Sequence, residues 1–154
     1  MINQGIADPS KLAIVGWSYG GYAALQSAAV NPELFKAVVA IAPVTDLAAL
    51  KEQSRHWSNF NVLSDFIGSG PHMHEGSPIE QAARIKAPVL LFHGALDANV
   101  GIQQSQSMAA RLHSTGGSCE LVIWDNLDHY LDDSDARTQM LRQSDEFLRK
   151  SLGM

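Results

Sequence analysis

The sequence predicts a parallel α/β sheet with helices on both faces. Three observations carry this. Short apolar runs recur at Leu12–Val15, Phe35–Ala42, Val89–His93 and Cys119–Trp124; the first carries β-branched residues and suits a strand buried on both faces, and the second also reads as a buried strand. Helix-compatible stretches separate them, and such alternation favours a parallel sheet of about four strands joined by crossover helices. The chain has 154 residues, 45% hydrophobic and 18% charged, which suffices for one domain, 1–154, with its own core.

Taken in order, Met1–Lys11 is polar, and Asp8-Pro9-Ser10 marks a turn into the first strand. After Leu12–Val15, Gly16-Trp17-Ser18-Tyr19-Gly20-Gly21 interrupts the apolar run. An Ala-rich helix then spans about Gly20–Val30 and stops before Asn31-Pro32. Phe35–Ala42 is a strand ended by Pro43, and Asp46–Glu52 suits a short helix. Residues 53–76 hold aromatics, turn formers and three of the six histidines without a sustained period, and read as a loop or small helical excursion. Ser77-Pro78 has the form of an N-cap and first helical residue, predicting a helix to about Ile85. Val89–His93 is the third strand. Gly101–Ser114 is a helix facing inward through Ile102, Met108, Ala109 and Leu112, and Gly116-Gly117 ends it. Cys119–Trp124 is the fourth strand. Ser134–Leu152 is an amphipathic helix with Met140, Leu141, Phe147 and Leu148 inward. No internal repeat or low-complexity segment interrupts this plan.

Charge and composition narrow the function. A net charge of −5 without a Lys/Arg cluster argues against nucleic acid. No apolar run reaches the roughly 20 residues that span a bilayer. No charged-then-apolar leader precedes the first strand, which leaves the compartment open with the cytoplasm as default. Cys119 is the one cysteine and cannot form an internal disulfide; it suits packing at a strand start.

The chemistry centres on the Gly-rich turn. Strand, tight turn with a Ser at its tip, then helix is the context that makes Gly16-Trp17-Ser18-Tyr19-Gly20 a nucleophile elbow rather than an ordinary turn with an exposed Ser. The Ser sits in a strained conformation, strand and helix pass close together, and side chains at Gly16 and Gly20 are expected to clash. Asp97 and His129 each lie just past another strand end, the edge where open α/β sheets form sites. Ser18 is a poor nucleophile until a base takes its proton. The imidazole of His129 can take it and return it to the leaving group, and Asp97 fixes the His tautomer. Asp125 and Asp128 are rival acids, but Asp128 adjoins His129 and Asp125 ends the same strand, so Asp97 is preferred. His93 reads as a packed histidine shaping the Asp97 loop. His72-x-His74-Glu75 has the residue types of a chelate, yet nothing fixes its geometry, and no metal or cofactor is expected.

These stretches resemble the prolyl oligopeptidase family of serine peptidases, which includes dipeptidyl and acylaminoacyl peptidases on an α/β-hydrolase fold. The residues that carry the resemblance are DPSKLAIVGWSYGGYAAL (Asp8–Leu25), SPIEQAARIKAPVLLFHGALDANV (Ser77–Val100) and LVIWDNLDHYL (Leu121–Leu131), and it covers essentially the whole chain. It implies Ser18 as nucleophile, Asp97 as acid, His129 as base and the amide of Tyr19 as an oxyanion-hole donor, within an elbow formed by Gly16, Gly20 and Gly21. Two positions depart from the family pattern. Gly101 follows Val100 where Pro is usual. Asp128 precedes His129 where Gly is usual, adding bulk and negative charge beside the base.

The resemblance also implies several strands ahead of the elbow strand, and usually a β-propeller before them. Only about ten residues precede the strand here, so the chain reads as the C-terminal portion of an α/β-hydrolase catalytic domain. The segment before it would supply a second oxyanion donor, worth about 10²–10³ in rate. The elbow strand is then expected to lie on an open apolar edge, which invites pairing with a second copy as a homodimer. The functional expectation is a serine peptidase acting on peptides through an acyl-enzyme. A carboxylesterase using the same three residues, and a truncated non-catalytic α/β domain acting through association, are the alternatives. A flavodoxin-like binding domain is weaker, because no phosphate-cradling Gly loop is evident.

Overall fold

The computed structural model describes residues 2–154. Its strands are β1 (Ala13–Trp17), β2 (Ala37–Ile41), β3 (Val89–Gly94) and β4 (Cys119–Trp124). They form one sheet in the order β1-β2-β3-β4, and each neighbouring pair is parallel. Because all the strands run parallel, their four C-terminal ends lie along one end of the sheet. The helices are α1 (Tyr19–Val30), α2 (Leu47–Gln53), α3 (Phe60–Ile67), α4 (His72–Glu75), α5 (Gln103–Ser114) and α6 (Ser134–Leu152).

Strand alternation divides the core in two. Val38, Ala40, Val89 and Leu91 face one way, under Ala24, Leu25 and Ala28 of α1 and Met108 and Leu112 of α5. Val39, Ile41, Leu90 and Phe92 face the other way, under Met140 and Phe147 of α6. Asp46 caps α2 by accepting from Ala49 N at 2.9 Å, and Asp133 caps α6 by accepting from Ala136 N at 2.8 Å.

Three expectations are corrected. The helix over Ser77–Ile85 is absent; only a 3₁₀ turn at Ala82–Arg84 forms. Ser77 is buried, and its hydroxyl serves the excursion instead, accepting from Leu47 N at 3.0 Å and donating to Met73 O at 2.6 Å. Leu141 is 66% exposed, because the buried stripe of α6 runs through Ala136, Met140 and Phe147, and Leu141 lies a further 100° round the helix. β1 lies at the sheet edge, as expected of the elbow strand, but it is not buried on both faces: Val15 is 54% exposed.

A buried polar tie fixes the region beyond β2. Gln104 of α5 accepts through Oε1 from Thr45 N and Asp46 N, both at 2.7 Å, and donates from Nε2 to Asp46 O at 3.0 Å. It anchors the start of the excursion to α5, which the sequence pattern did not indicate.

Candidate active site

A single residue, Ser18, separates β1 from α1. Its backbone is at φ 56°, ψ −116°, a region costly for a residue with a side chain. Ser18 N donates to Ile41 O at 2.7 Å, and Ser18 O accepts from Tyr22 N at 3.0 Å, so both sides of the turn are held. A Cβ at Gly16 would stand 2.0 Å from Gly20 O, and one at Gly21 would stand 2.9 Å from Pro43 Cβ. A Cβ at Gly20 meets nothing within 4 Å. The tight approaches are therefore at Gly16 and Gly21. The clash expected at Gly20 is absent, because there it is the glycine's backbone, rather than its missing side chain, that Gly16 abuts.

Asp97 lies in the turn after β3, with its side chain fully buried. Its Oδ1 accepts from Asn99 N at 2.9 Å and Val100 N at 2.8 Å. Its Oδ2 lies 2.7 Å from His129 Nδ1 and 3.3 Å from His93 Nε2. Burial pushes the carboxyl up, but the bonds from His93, Val100 and His129 together outweigh it and hold Asp97 below its ordinary value of 3.8. The site thus keeps a buried carboxylate ionised. Asp125 and Asp128 are exposed. Asp128 Oδ1 accepts from Tyr130 N at 2.9 Å, and Asp128 does not line the cavity beside Ser18.

His129 has a side chain only 11% exposed. With Nδ1 on Asp97, Nε2 is turned to the opposite side of the ring, and His129 and Ser18 line one cavity of about 440 Å³. Three contacts that the sequence reading missed fix the His loop. Trp17 Nε1 donates to His129 O at 3.1 Å. Leu131, at φ 47°, is buried in the core two residues on. Gly94 lets the loop settle on the end of β3, since a Cβ there would lie 2.3 Å from Leu127 O and 2.5 Å from Asp128 O. The readable clues were a Trp inside the elbow and a Gly at a strand end; nothing in the sequence marks Leu131. Gly94→Ala is expected to displace the loop and slow any chemistry at Ser18 by about 10²-fold, since catalytic geometry tolerates little more than 1 Å of misplacement. Single-turnover kinetics on the folded variant checks this.

The excursion over 53–76 is the outer wall of the cavity. Val44, Leu47, Leu50, Trp57, Leu63 and Phe66 supply its apolar lining. Tyr22 also faces it; burial and then the neighbouring Tyr19 push its hydroxyl up, so it is neutral there. His72 lines the cavity and bonds through Nε2 to Ile67 O at 2.8 Å, while His74 pairs with Glu80 at 3.1 Å. The two histidines thus engage separate partners. Cys119 is held as a thiol, its pKa pushed up to about 12 by burial and then by Glu120.

A strained Ser between strand and helix, on a parallel sheet covered on both faces, defines an α/β-hydrolase fold. The sequence pattern of the prolyl oligopeptidase family matches residues 1–154, and the chain belongs to that family. Dipeptidyl peptidase family member 1 of Caenorhabditis elegans is 29% identical over 147 residues, covering 94% of this chain and 17% of that protein. The acylamino-acid-releasing enzyme of Arabidopsis thaliana is 28% identical over 141 residues, covering 85% of this chain and 18% of that protein. Among solved structures, a puromycin-hydrolyzing peptidase of Mycobacterium tuberculosis superposes with a TM-score of 0.89 at 28% identity, over 99% of this chain and 24% of that one. Acylaminoacyl peptidase of Pyrococcus horikoshii gives 0.81 at 25% identity, over 98% and 26%. The chain therefore spans about a quarter or less of the length of these relatives.

Proposed function

We propose that residues 1–154 form the C-terminal portion of a peptidase catalytic domain in which Ser18 is the nucleophile, His129 the base and Asp97 the acid. The observation that carries this reading is the 2.7 Å bond from His129 Nδ1 to Asp97, with the ring on the same cavity as the strained Ser18. Ser18 Oγ attacks the substrate carbonyl carbon and passes its proton to His129 Nε2. The carbonyl oxygen gains the electron pair and is met by Tyr19 N–H, which opens α1 and has no acceptor within its own helix. His129 then protonates the leaving amine as the C–N bond breaks. Water repeats the sequence on the acyl-enzyme, returning Ser18 to its hydroxyl form.

On this reading the cavity takes the residue on the acyl side of the substrate. Its lining carries no Lys, Arg, Asp or Glu among the described residues, so a bulky uncharged residue fits, and a charged one enters without a partner. A panel of chromogenic peptides checks this. Phe or Leu at that position is expected to exceed Asp or Lys by at least about tenfold in kcat/KM, since unpaired burial of a charge costs more than the equivalent 1.4 kcal/mol. Hydrolysis of all panel members at equal rates contradicts it. Ester turnover without amide turnover favours the carboxylesterase alternative instead.

Val15 is 54% exposed on β1, whose outer edge is unpaired, and this supports a second reading, in which two copies cover each other's edge. Light scattering on the purified chain is expected to give a dimer that Val15→Lys shifts to monomer; a wild-type monomer at micromolar concentration contradicts it.

A further inference from the structure

We infer that His93 is a positioning residue for Asp97, holding the carboxylate from the side opposite His129. The inference rests on the reading of Asp97 as the acid. His93 is fully buried on β3. Its Nε2 lies 2.8 Å from Val100 O, which only accepts, so Nε2 carries the proton. Its Nδ1 lies 2.7 Å from Ser105 Oγ. On the neutral ring Nδ1 then accepts, and the buried Ser105 hydroxyl donates.

The same nitrogen, Nε2, lies 3.3 Å from Asp97 Oδ2. One carboxylate oxygen is therefore flanked by two imidazoles, while the other takes the N–H groups of Asn99 and Val100. His93 acts twice on that carboxylate. It offers Oδ2 a second donor, and it fixes the Val100 carbonyl, so that the neighbouring Val100 N–H stays on Oδ1. Ser105, on α5, selects the tautomer that makes both possible. A line of polar contacts thus runs from α5 through Ser105 and His93, across 3.3 Å to Asp97, and on to His129.

Two readouts test this: the imidazole ¹⁵N shifts of His129, which report its tautomer without any turnover, and the pH profile of fluorophosphonate labelling. Both are taken on wild type, His93→Gln, His93→Phe and Ser105→Ala, with folding checked by circular dichroism. Gln places an N–H donor near the position of Nε2; Phe keeps the bulk without the donor. His129 is expected to be the Nδ1–H form in wild type and His93→Gln, and a mixture in His93→Phe. Labelling is expected to fall at least about tenfold in His93→Phe and to stay within about threefold in His93→Gln, the size of one charge-assisted hydrogen bond. If folded His93→Phe keeps the wild-type tautomer and profile, the inference is overturned. It is also overturned if His93→Gln loses as much as His93→Phe, because packing then explains both. If His93→Phe does not fold, Ser105→Ala decides: a mixed tautomer supports the inference, and an unchanged one overturns it. A wild-type chain that shows the tautomer response but no labelling supports the role of His93 and rejects Ser18 as nucleophile.

Discussion

Asp97→Asn is expected to slow acylation of Ser18 by about 10⁴-fold while leaving the chain folded, the scale set by loss of the tautomer-fixing carboxylate in a serine hydrolase. The amide keeps one carbonyl oxygen, which continues to serve Asn99 N and Val100 N, the two donors on Oδ1. The atom that meets His129 Nδ1 is then an NH₂ group. Two donors cannot share that bond, so the ring turns over to the tautomer with its proton on Nε2, where it has no lone pair for the Ser18 hydroxyl. Single-turnover kinetics measures the loss. Stability against pH gives a second reading. The folded carboxyl ionises below 3.8, its ordinary value. Its contribution is therefore complete above that pH and disappears as the pH falls through the lower folded value. Asp97→Asn removes this part of the acid limb and leaves stability near neutral pH to packing.

Gly16→Ala is expected to cost about 4 kcal/mol or more, or to prevent folding. The new methyl would lie 2.0 Å from Gly20 O and 2.2 Å from Gly20 C. Both are backbone atoms of α1, and no rotamer change relieves the contact. β1 and α1 must separate, and α1 carries Ala24, Leu25 and Ala28, the buried cover of one sheet face. Gly20→Ala is the control. Its added Cβ meets nothing within 4 Å and gains helix propensity, so stability is expected to hold within about 1 kcal/mol. Urea denaturation midpoints separate the two variants. Equal losses at both positions would show that the elbow is limited by backbone freedom rather than by close approach.

Much of the fold was legible because its determinants are local. The apolar runs at Val89 and Cys119 and the amphipathic stretch from Ser134 announce their own elements. Ser18 stood out because a glycine-bounded Ser between strand and helix has few other uses. Asp97 and His129 stood out by their places after strands. What was not legible depends on contacts between segments distant in the chain. Ser77 looks like a helix cap until Leu47 and Met73 claim its hydroxyl. Gly94 looks like a strand terminus until the His129 loop comes to rest against it. Trp17 reads as an apolar residue of the elbow, while its indole N–H holds the His129 carbonyl. Residues 53–76 carry no sustained period because they are broken into short helical pieces; α3 has no buried residue, and its Leu63, Phe66 and Ile67 line the cavity. β1 has the composition of a buried strand; its place at the sheet edge was expected from the resemblance, and Val15 is exposed there.

Mass mapping after fluorophosphonate treatment most directly tests whether this site works as a nucleophilic centre. A single adduct on Ser18 of the wild-type chain is predicted, absent from Ser18→Ala and strongly reduced in Asp97→Asn. A folded wild-type chain with no adduct, or one whose adduct persists on another hydroxyl in Ser18→Ala, would contradict it.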